Sequence, residues 1–401
     1  MADVKPFKGL RPSHTLAHLM ASVPYDVVST DEAKELARNN PYSLLHVTKP
    51  EIDLPSTVSP YNDVVYQQGH KTLQHMIENG WLQQDTQPCY YLYRLTMDGH
   101  AQTGFVLAAS TQDYLEGRIR KHELTRTDKE EDRVKHLSTV QAHTGKVFLL
   151  HPEHTTLDSF AQEYTQQHKP HTSFTAEDGV QHQLWVVDNP THIQHISDCF
   201  ASIPVLYIAD GHHRAASAAR VASHTDNKAW HSFLAVSFPH TQCRIWDYNR
   251  VVKDLNGLDE KTFLKKISEH YHVTQTFQQP SKLHQCSMYL ANTWYHLQLK
   301  TSPSHASPIE NLDAYILQNT VLGPILGISD PRKDTRIDFI GGIRGYKALE
   351  KRIHEGWAVA FWMHPTSVSE LMDVANADAI MPPKSTWFEP KLRDGIVVYK
   401  P

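Results

Sequence analysis

The residues best suited to chemistry stand in one short run, Asp210-Gly211-His212-His213-Arg214, between an apolar stretch at 206–209 and an alanine-rich stretch at 215–219. The pattern predicts a strand, a glycine turn and a helix. Gly211 permits a tight turn with positive φ. A helix starting near His213 offers its first unpaired N–H groups and the positive end of its dipole to an anion. Arg214 carries a fork that matches phosphate oxygens, and His212 and His213 add neutral or charged donors. Asp210, at the carboxyl end of the strand, is a residue type that holds Mg²⁺ or accepts a hydroxyl proton. The competing explanation has Asp210 capping the helix and the histidines simply packing. Four polar side chains around one glycine favour the site.

A second run, 121–136, has ten formally charged residues in sixteen. For Glu130 and Glu131 a solvated helix with i,i+3 and i,i+4 ion pairs is explanation enough. His122, Glu123, Thr125 and Arg126 precede that helix, where short polar residues can converge on a ligand. Two further segments are candidates for a lesser part. Arg332 and Arg336, before Gly341-Gly342, suit a second anion site, and a salt-bridged turn explains them equally well. Lys384 lies in the proline-bounded loop 381–391, a kind of loop that often closes over ligands; a packing loop held by Trp387 and Phe388 is the alternative.

The elements that must position these residues follow from local signals. An extended stretch is expected at 24–28. A helix capped by Ser29 or Thr30 should follow at 31–38, and another at 62–79 ending at Gly80. Strands are expected at 89–95 and 103–109 around an Asp98-Gly99 turn, and buried strands at 147–150, 184–187, 205–209 and 233–237. A charged helix fits 128–140. The last third should hold helices at 261–270 and 311–321, strands within 281–300 and a loop at 302–308. The class is mixed α/β or α+β, with a soft boundary near residue 250 between regions 1–250 and 251–401.

With 401 residues the chain is long enough for roughly two or three domains at ~150 residues each. No apolar run approaches the ~20 residues of a membrane-spanning helix, and the first dozen residues lack the apolar segment of a signal peptide. The formal net charge of -5 argues against a polyanion-wrapping protein. Cys89, Cys199, Cys243 and Cys286 form no C-x-x-C pair, which disfavours a thiolate zinc site and fits a reduced cytoplasm. There are 28 histidines, mostly scattered among Gln and Asn, and no HExxH, so their number alone does not imply a metal. Adjacent His212 and His213 point apart in any regular element, which is poor geometry for one zinc ion. P-loop, Gly-x-Gly-x-x-Gly and Gly-x-Ser-x-Gly patterns are absent.

The blocks at 24–28 (PYDVV), 49–55 (KPEIDLP), 121–133, 207–218 (YIADGHHRAASA), 326–342 and 381–395 together resemble a prokaryotic family of uncharacterised proteins, domain of unknown function family 1015, over nearly the whole chain. The Asp-Gly-His-His-Arg turn by itself is similar to the phosphate-binding turn of the ParB/sulfiredoxin-like superfamily, which includes partition proteins, sulfiredoxins and free L-serine kinases. That second resemblance implies a nucleotide-binding region in which Asp210, His212, His213 and Arg214 touch phosphates and Gly211 makes the turn. The kinases use an upstream glutamate as base, for which Glu123 is the candidate here.

Three functions compete. A small-molecule kinase needs positive donors around the phosphoryl group, a metal and a carboxylate near the attacking hydroxyl. Glu123, Asp210 and His212 would be catalytic, with Asp210 the metal ligand. Gly211, His213, Arg214, His122, Thr125 and Arg126 would bind nucleotide. The cofactors would be Mg²⁺ with ATP or ADP, and the partners a nucleotide and a small hydroxyl acceptor, L-serine among those the resemblance implies. No nucleic acid or membrane partner is expected. A nucleotide-gated binding protein lacks a basic recognition helix here, and a zinc hydrolase meets the geometric objection above. The kinase ranks first.

Overall fold

The computed structural model describes residues 1–303 and 307–401. The chain forms two compact units: Met1–Cys243 joined by Pro390–Pro401, and Arg244–Glu389. The break falls a few residues before the expected boundary. The return of the last residues to the first unit has no local signature, because it depends on partners distant in sequence.

The first unit is built on a nine-stranded mixed sheet. Its strands are β1 (Val4–Lys5), β2 (Tyr90–Met97), β3 (His100–Ser110), β4 (Ile119–Arg120), β5 (Val147–His151), β6 (Thr172–Thr175), β7 (Gln181–Val187), β8 (Leu206–Asp210) and β9 (Ser232–Pro239). The order is β4-β8-β5-β9-β3-β2-β7-β6, with β1 on β3. The pairs β4/β8 and β5/β9 are parallel, and the others are antiparallel. Asp98 and Gly99, both with positive φ (51° and 76°), turn β2 into β3, as the twist of a two-residue hairpin requires. Strands β5 and β9 are buried throughout, which is why they read as unbroken apolar runs.

Helices flank this sheet: α1 (Thr30–Leu36), α2 (Asp63–Glu78), α3 (Thr127–Val140), α4 (Thr155–Gln167), α5 (Pro190–Ser202) and α6 (His212–Ala222). Ser29 and Glu32 form a capping box, each side chain accepting from the other's backbone N–H at 3.2 and 2.7 Å, which satisfies donors that a helix start leaves orphaned. Asn62 caps α2 through the Val64 N–H. The small side chains of Ala215 and Ala218 let α6 lie close to the sheet, in one core with Leu149, Leu206 and Ile208. The stretch expected to be extended at 24–28 instead forms a 3₁₀ turn, Tyr25–Val27. Its cause is tertiary: the Arg133 guanidinium lies 3.9 Å from the Tyr25 ring centroid, and Asp26 turns toward Arg214.

The second unit has a six-stranded, wholly antiparallel sheet: β10 (Tyr248–Val252), β11 (Tyr271–Gln275), β12 (Gln285–Leu290), β13 (Thr293–Leu299), β14 (Ile337–Gly341) and β15 (Val359–Met363), in the order β11-β13-β12-β15-β10-β14. Helix α7 (Glu260–His270), capped by Asp259, packs Phe263 and Ile267 into a core with Met288 and Phe361. The helix expected at 311–321 is a short α-helix, Asp313–Leu317, continued by a π turn closed by the Gly323 N–H on the Gln318 carbonyl. The loop expected at 302–308 lies partly outside the described residues. The fold class is mixed α/β. Among the described residues no helix is long and apolar enough to cross a membrane.

Candidate functional site

The turn after β8 shows how the backbone builds a donor cluster. The pairing of β8 with β5 shifts register between Ile208 and Asp210, and such an irregularity re-aims a strand's last side chain. Gly211 then takes φ +93°, in the left-handed region, and is the N-cap of α6 with no side-chain cap. A Cβ at this position would stand 3.4 Å from the Val147 Cα. Asp210 does not cap the helix; its Oδ1 accepts from the adjacent Gly211 N–H at 2.8 Å. The N–H groups of His212 and His213 therefore occupy a first turn where the helix itself supplies no acceptor.

The segment before α3 comes to this turn. The rings of His122 and His212 meet edge to face with centroids 4.6 Å apart. The Arg126 backbone N–H donates to His213 Nε2 at 3.0 Å, which puts the proton of a neutral His213 ring on Nδ1. Thr125 donates its hydroxyl to Glu130 at 2.8 Å, and Glu130 also accepts from Arg220 of α6 at 3.0 Å. Glu130, expected on a solvated face, is thus the clamp that ties the 122–126 segment to α6; the i,i+4 pattern that suggested solvent exposure carries no trace of this partner. The Arg126 guanidinium is largely exposed and paired with Asp128 at 2.9 Å, so within this arrangement Arg126 contributes its backbone to the cluster.

Arg214 behaves differently from the fork expected. Its side chain is nine-tenths buried. Nη1 donates to the Lys146 carbonyl, and Nη2 lies 3.4 Å from Asp26 Oδ1. It borders a cavity of about 40 Å³ with Tyr25, Arg133, His143 and Asp394. Burial opposes its charge, and Asp26, Asp394 and Asp210 more than restore it. Arg214 is therefore a buried cation that holds the Lys146–Val147 backbone under the turn. Lys391, the last residue of the 381–391 loop and not singled out within it, places its Nζ 3.6 Å from Asp210 Oδ2. Burial pushes the Asp210 carboxyl up, but Lys391 first, then Arg214 and His212, outweigh it and hold the group below the usual carboxylate range. Lys146 is fully buried and donates to the Arg393 carbonyl at 2.7 Å, with burial drawing its ammonium down to about 8. Lys391, Arg393 and Asp394 all belong to the returning C-terminal segment.

His122, Glu123 and His212 also form a group whose ligand atoms all lie within 4.8 Å of one another, with both histidines buried and the glutamate half-buried. Burial pushes His122 down to about 4, and His212 well below its usual value. Arg332, Arg336 and Lys384 lie in the second unit. The Arg336 guanidinium is committed to Asp334, Asp254 and the Leu326 and Gly327 carbonyls, so it makes the salt-bridged turn that was the alternative to an anion site. Arg332 is exposed, its backbone N–H on Asp330 Oδ1. Lys384, at φ +57°, gives its carbonyl to Arg250 and places Nζ 5.7 Å from the Tyr248 ring centroid.

The family model described as "Protein of unknown function (DUF1015)" matches residues 4–315. No curated protein matches the chain. Among solved structures, the chain is similar to SbnI with a C-terminal truncation from Staphylococcus aureus (TM-score 0.42, 12% identity, covering 72% of this chain and 85% of that one). It is also similar to a conserved hypothetical protein from Pyrococcus furiosus (0.38, 11%, 74% and 95%). A third is a mutant free serine kinase in complex with AMP (0.38, 10%, 71% and 87%).

Proposed function

The chain belongs to the DUF1015 family, and we propose that it is a small-molecule kinase that moves a phosphoryl group from ATP or ADP to a hydroxyl acceptor at the Asp210–His213 turn. The observation that carries this reading is the meeting of two segments remote in sequence at one helix N-terminus, through the His122–His212 contact and the Arg126–His213 hydrogen bond. They set two carboxylates, Asp210 and Glu123, beside the first N–H groups of α6, for which the helix itself has no acceptor. Phosphoryl transfer asks for positioning and charge stabilisation more than covalent help, and this arrangement supplies both.

The N–H groups of His212 and His213, at the positive end of the α6 dipole, would bind the transferring phosphate oxygens. His213, with its proton on Nδ1, is a further donor. Asp210, held ionised by Lys391, would accept the proton of the attacking hydroxyl as the acceptor oxygen bonds to phosphorus and the bond to the nucleotide's bridging oxygen breaks. Mg²⁺ would enter with the nucleotide and spread the phosphate charge, and the Asp210 carboxylate is the group that would hold it. The donor chemistry fits, since Mg²⁺ in such sites takes one or two carboxylates plus phosphate oxygens. Glu123 is the other candidate base, in the part that an upstream glutamate plays in the kinases the turn resembles. Arg214 supports the turn from beneath.

The test is nucleotide binding followed by transfer. Ligand that binds only the native state stabilises it by about 2.7 kcal/mol at a hundred times Kd, so ATP or ADP with Mg²⁺ should raise the melting temperature. Terminally labelled ATP and ADP are then incubated with a panel of hydroxyl acceptors that includes L-serine. Absence of both stabilisation and labelled product across the panel refutes the kinase.

A further inference from the structure

We infer that His122, Glu123 and His212 form a binding site for one divalent transition-metal ion of the zinc class. The site stands on its own geometry; only its use in phosphoryl transfer rests on the reading above.

Two imidazoles and one carboxylate are the set that borderline cations take, whereas Mg²⁺ and Ca²⁺ prefer oxygen alone. Ligands about 2.1 Å from a tetrahedral ion stand about 3.4 Å apart. Here every pair lies within 4.8 Å, so closure needs at most about 1.4 Å of side-chain movement. The ligands come from two segments. His122 and Glu123 precede α3, and His212 opens α6. This answers the geometric objection to His212 with His213: adjacent residues diverge, but one histidine from each segment does not.

His212 is 6% exposed, and among the described residues its buried Nε2 has no hydrogen-bond partner. A buried polar atom in that state loses the hydration it had in the unfolded chain and gains nothing in return. A metal ion would satisfy it. One ring nitrogen of His122 donates to the Ile208 carbonyl. A neutral ring that donates from one nitrogen presents a lone pair at the other, and metal-binding histidines are commonly oriented by such a bond to a backbone carbonyl. With three protein ligands, a tetrahedral ion keeps a fourth position for water or substrate oxygen. In the kinase reading that position would receive an oxygen of the acceptor or of the phosphate, and Glu123 would then serve as a ligand and leave the hydroxyl proton to Asp210.

The probe is Co²⁺, whose visible d–d absorption reports coordination. Full-length protein freed of metal by chelator should bind one equivalent with a four- or five-coordinate spectrum, and Zn²⁺ should displace it. Glu123→Gln and His212→Ala should each weaken binding at least tenfold, since even indirect partners of a metal ligand are worth 10–100-fold. His272→Ala, on β11 of the second unit, should leave it unchanged. Circular dichroism establishes that each variant is folded, and if His212→Ala is not, the half-buried Glu123 position decides alone. Binding that is absent, or equal in wild type and Glu123→Gln, overturns the proposal and marks the uptake as adventitious, a real alternative in a chain with 28 histidines. Nucleotide binding is measured on the same metal-free sample. Nucleotide without Co²⁺ uptake removes the metal site and leaves the kinase, whereas Co²⁺ uptake without nucleotide does the reverse.

Discussion

Replacing Arg214 by methionine separates a phosphate ligand from a buried structural cation. In the structure the guanidinium holds the Lys146 carbonyl and stands near Asp26. The larger consequence concerns Asp394, which is 1% exposed. Burial raises its pKa, and Arg214 is the strongest influence opposing that rise, followed by Lys146. Removing one partner of a buried charge pair costs about 3–5 kcal/mol. The Asp26 contact adds little, because its carboxylate is 38% exposed. The expected loss in Arg214→Met is therefore about 3–5 kcal/mol, a fall of about 1–2 M in urea midpoint at an m value of about 3 kcal/mol/M. The pH dependence has a definite sign. Asp394 titrates near 3.9 when unfolded and higher when folded, so between those values the folded state binds more protons and stability falls as pH rises. Loss of Arg214 lifts the folded value further, so the deficit should be larger at pH 8 than at pH 5. Adding Asp394→Asn to Arg214→Met should recover part of it. Urea titrations followed by circular dichroism at the two pH values give the answer. A variant within about 1 kcal/mol of wild type at both, with nucleotide affinity reduced instead, would show that the guanidinium serves a phosphate and that the structural argument is wrong.

Asp210→Asn should fold normally and lower turnover by about a hundredfold or more, the range for loss of a general base, measured as initial rates on whichever acceptor the panel identifies; normal turnover removes Asp210 from the chemistry. Lys391→Met removes the nearest cation, at 3.6 Å. Even at the dielectric of water that pair is worth about 1.2 kcal/mol, so the acid limb of the kcat/KM profile should move up by about one pH unit; an unmoved limb assigns it to another group. His136, His143 and His151 are buried neutral, with burial as the leading cause, at about 4, 3 and 3. Between about pH 6.5 and those values the unfolded chain binds more protons, so the melting temperature should drop from pH 7.5 to pH 5, and a flat profile would mean these rings open to water.

Local signals were enough for much of this protein. The Asp98-Gly99 hairpin, the Ser29 cap, the buried runs of β5 and β9 and the strand–glycine–helix at 206–220 all follow from interactions between residues a few positions apart, which the order of residue types records directly. So does the identity of the chemical residues, because only certain side chains donate, accept or bind metal. The tertiary structure decided which of those groups meet. The His122–His212 contact, the Glu130 clamp, the burial of Arg214 and the arrival of Lys391 beside Asp210 are each made by chain segments far apart in sequence. Their occurrence depends on strand order and on the return of the C-terminal segment to the first unit. Tyr25–Val27 makes the same point at the level of backbone: its residues suit an extended stretch, and contacts with Arg133 and Arg214, more than a hundred positions away, turn it into a 3₁₀ helix. A residue's chemistry is a local property, whereas its protonation state, its partner and its role are set by whatever the fold brings within a few ångströms of it.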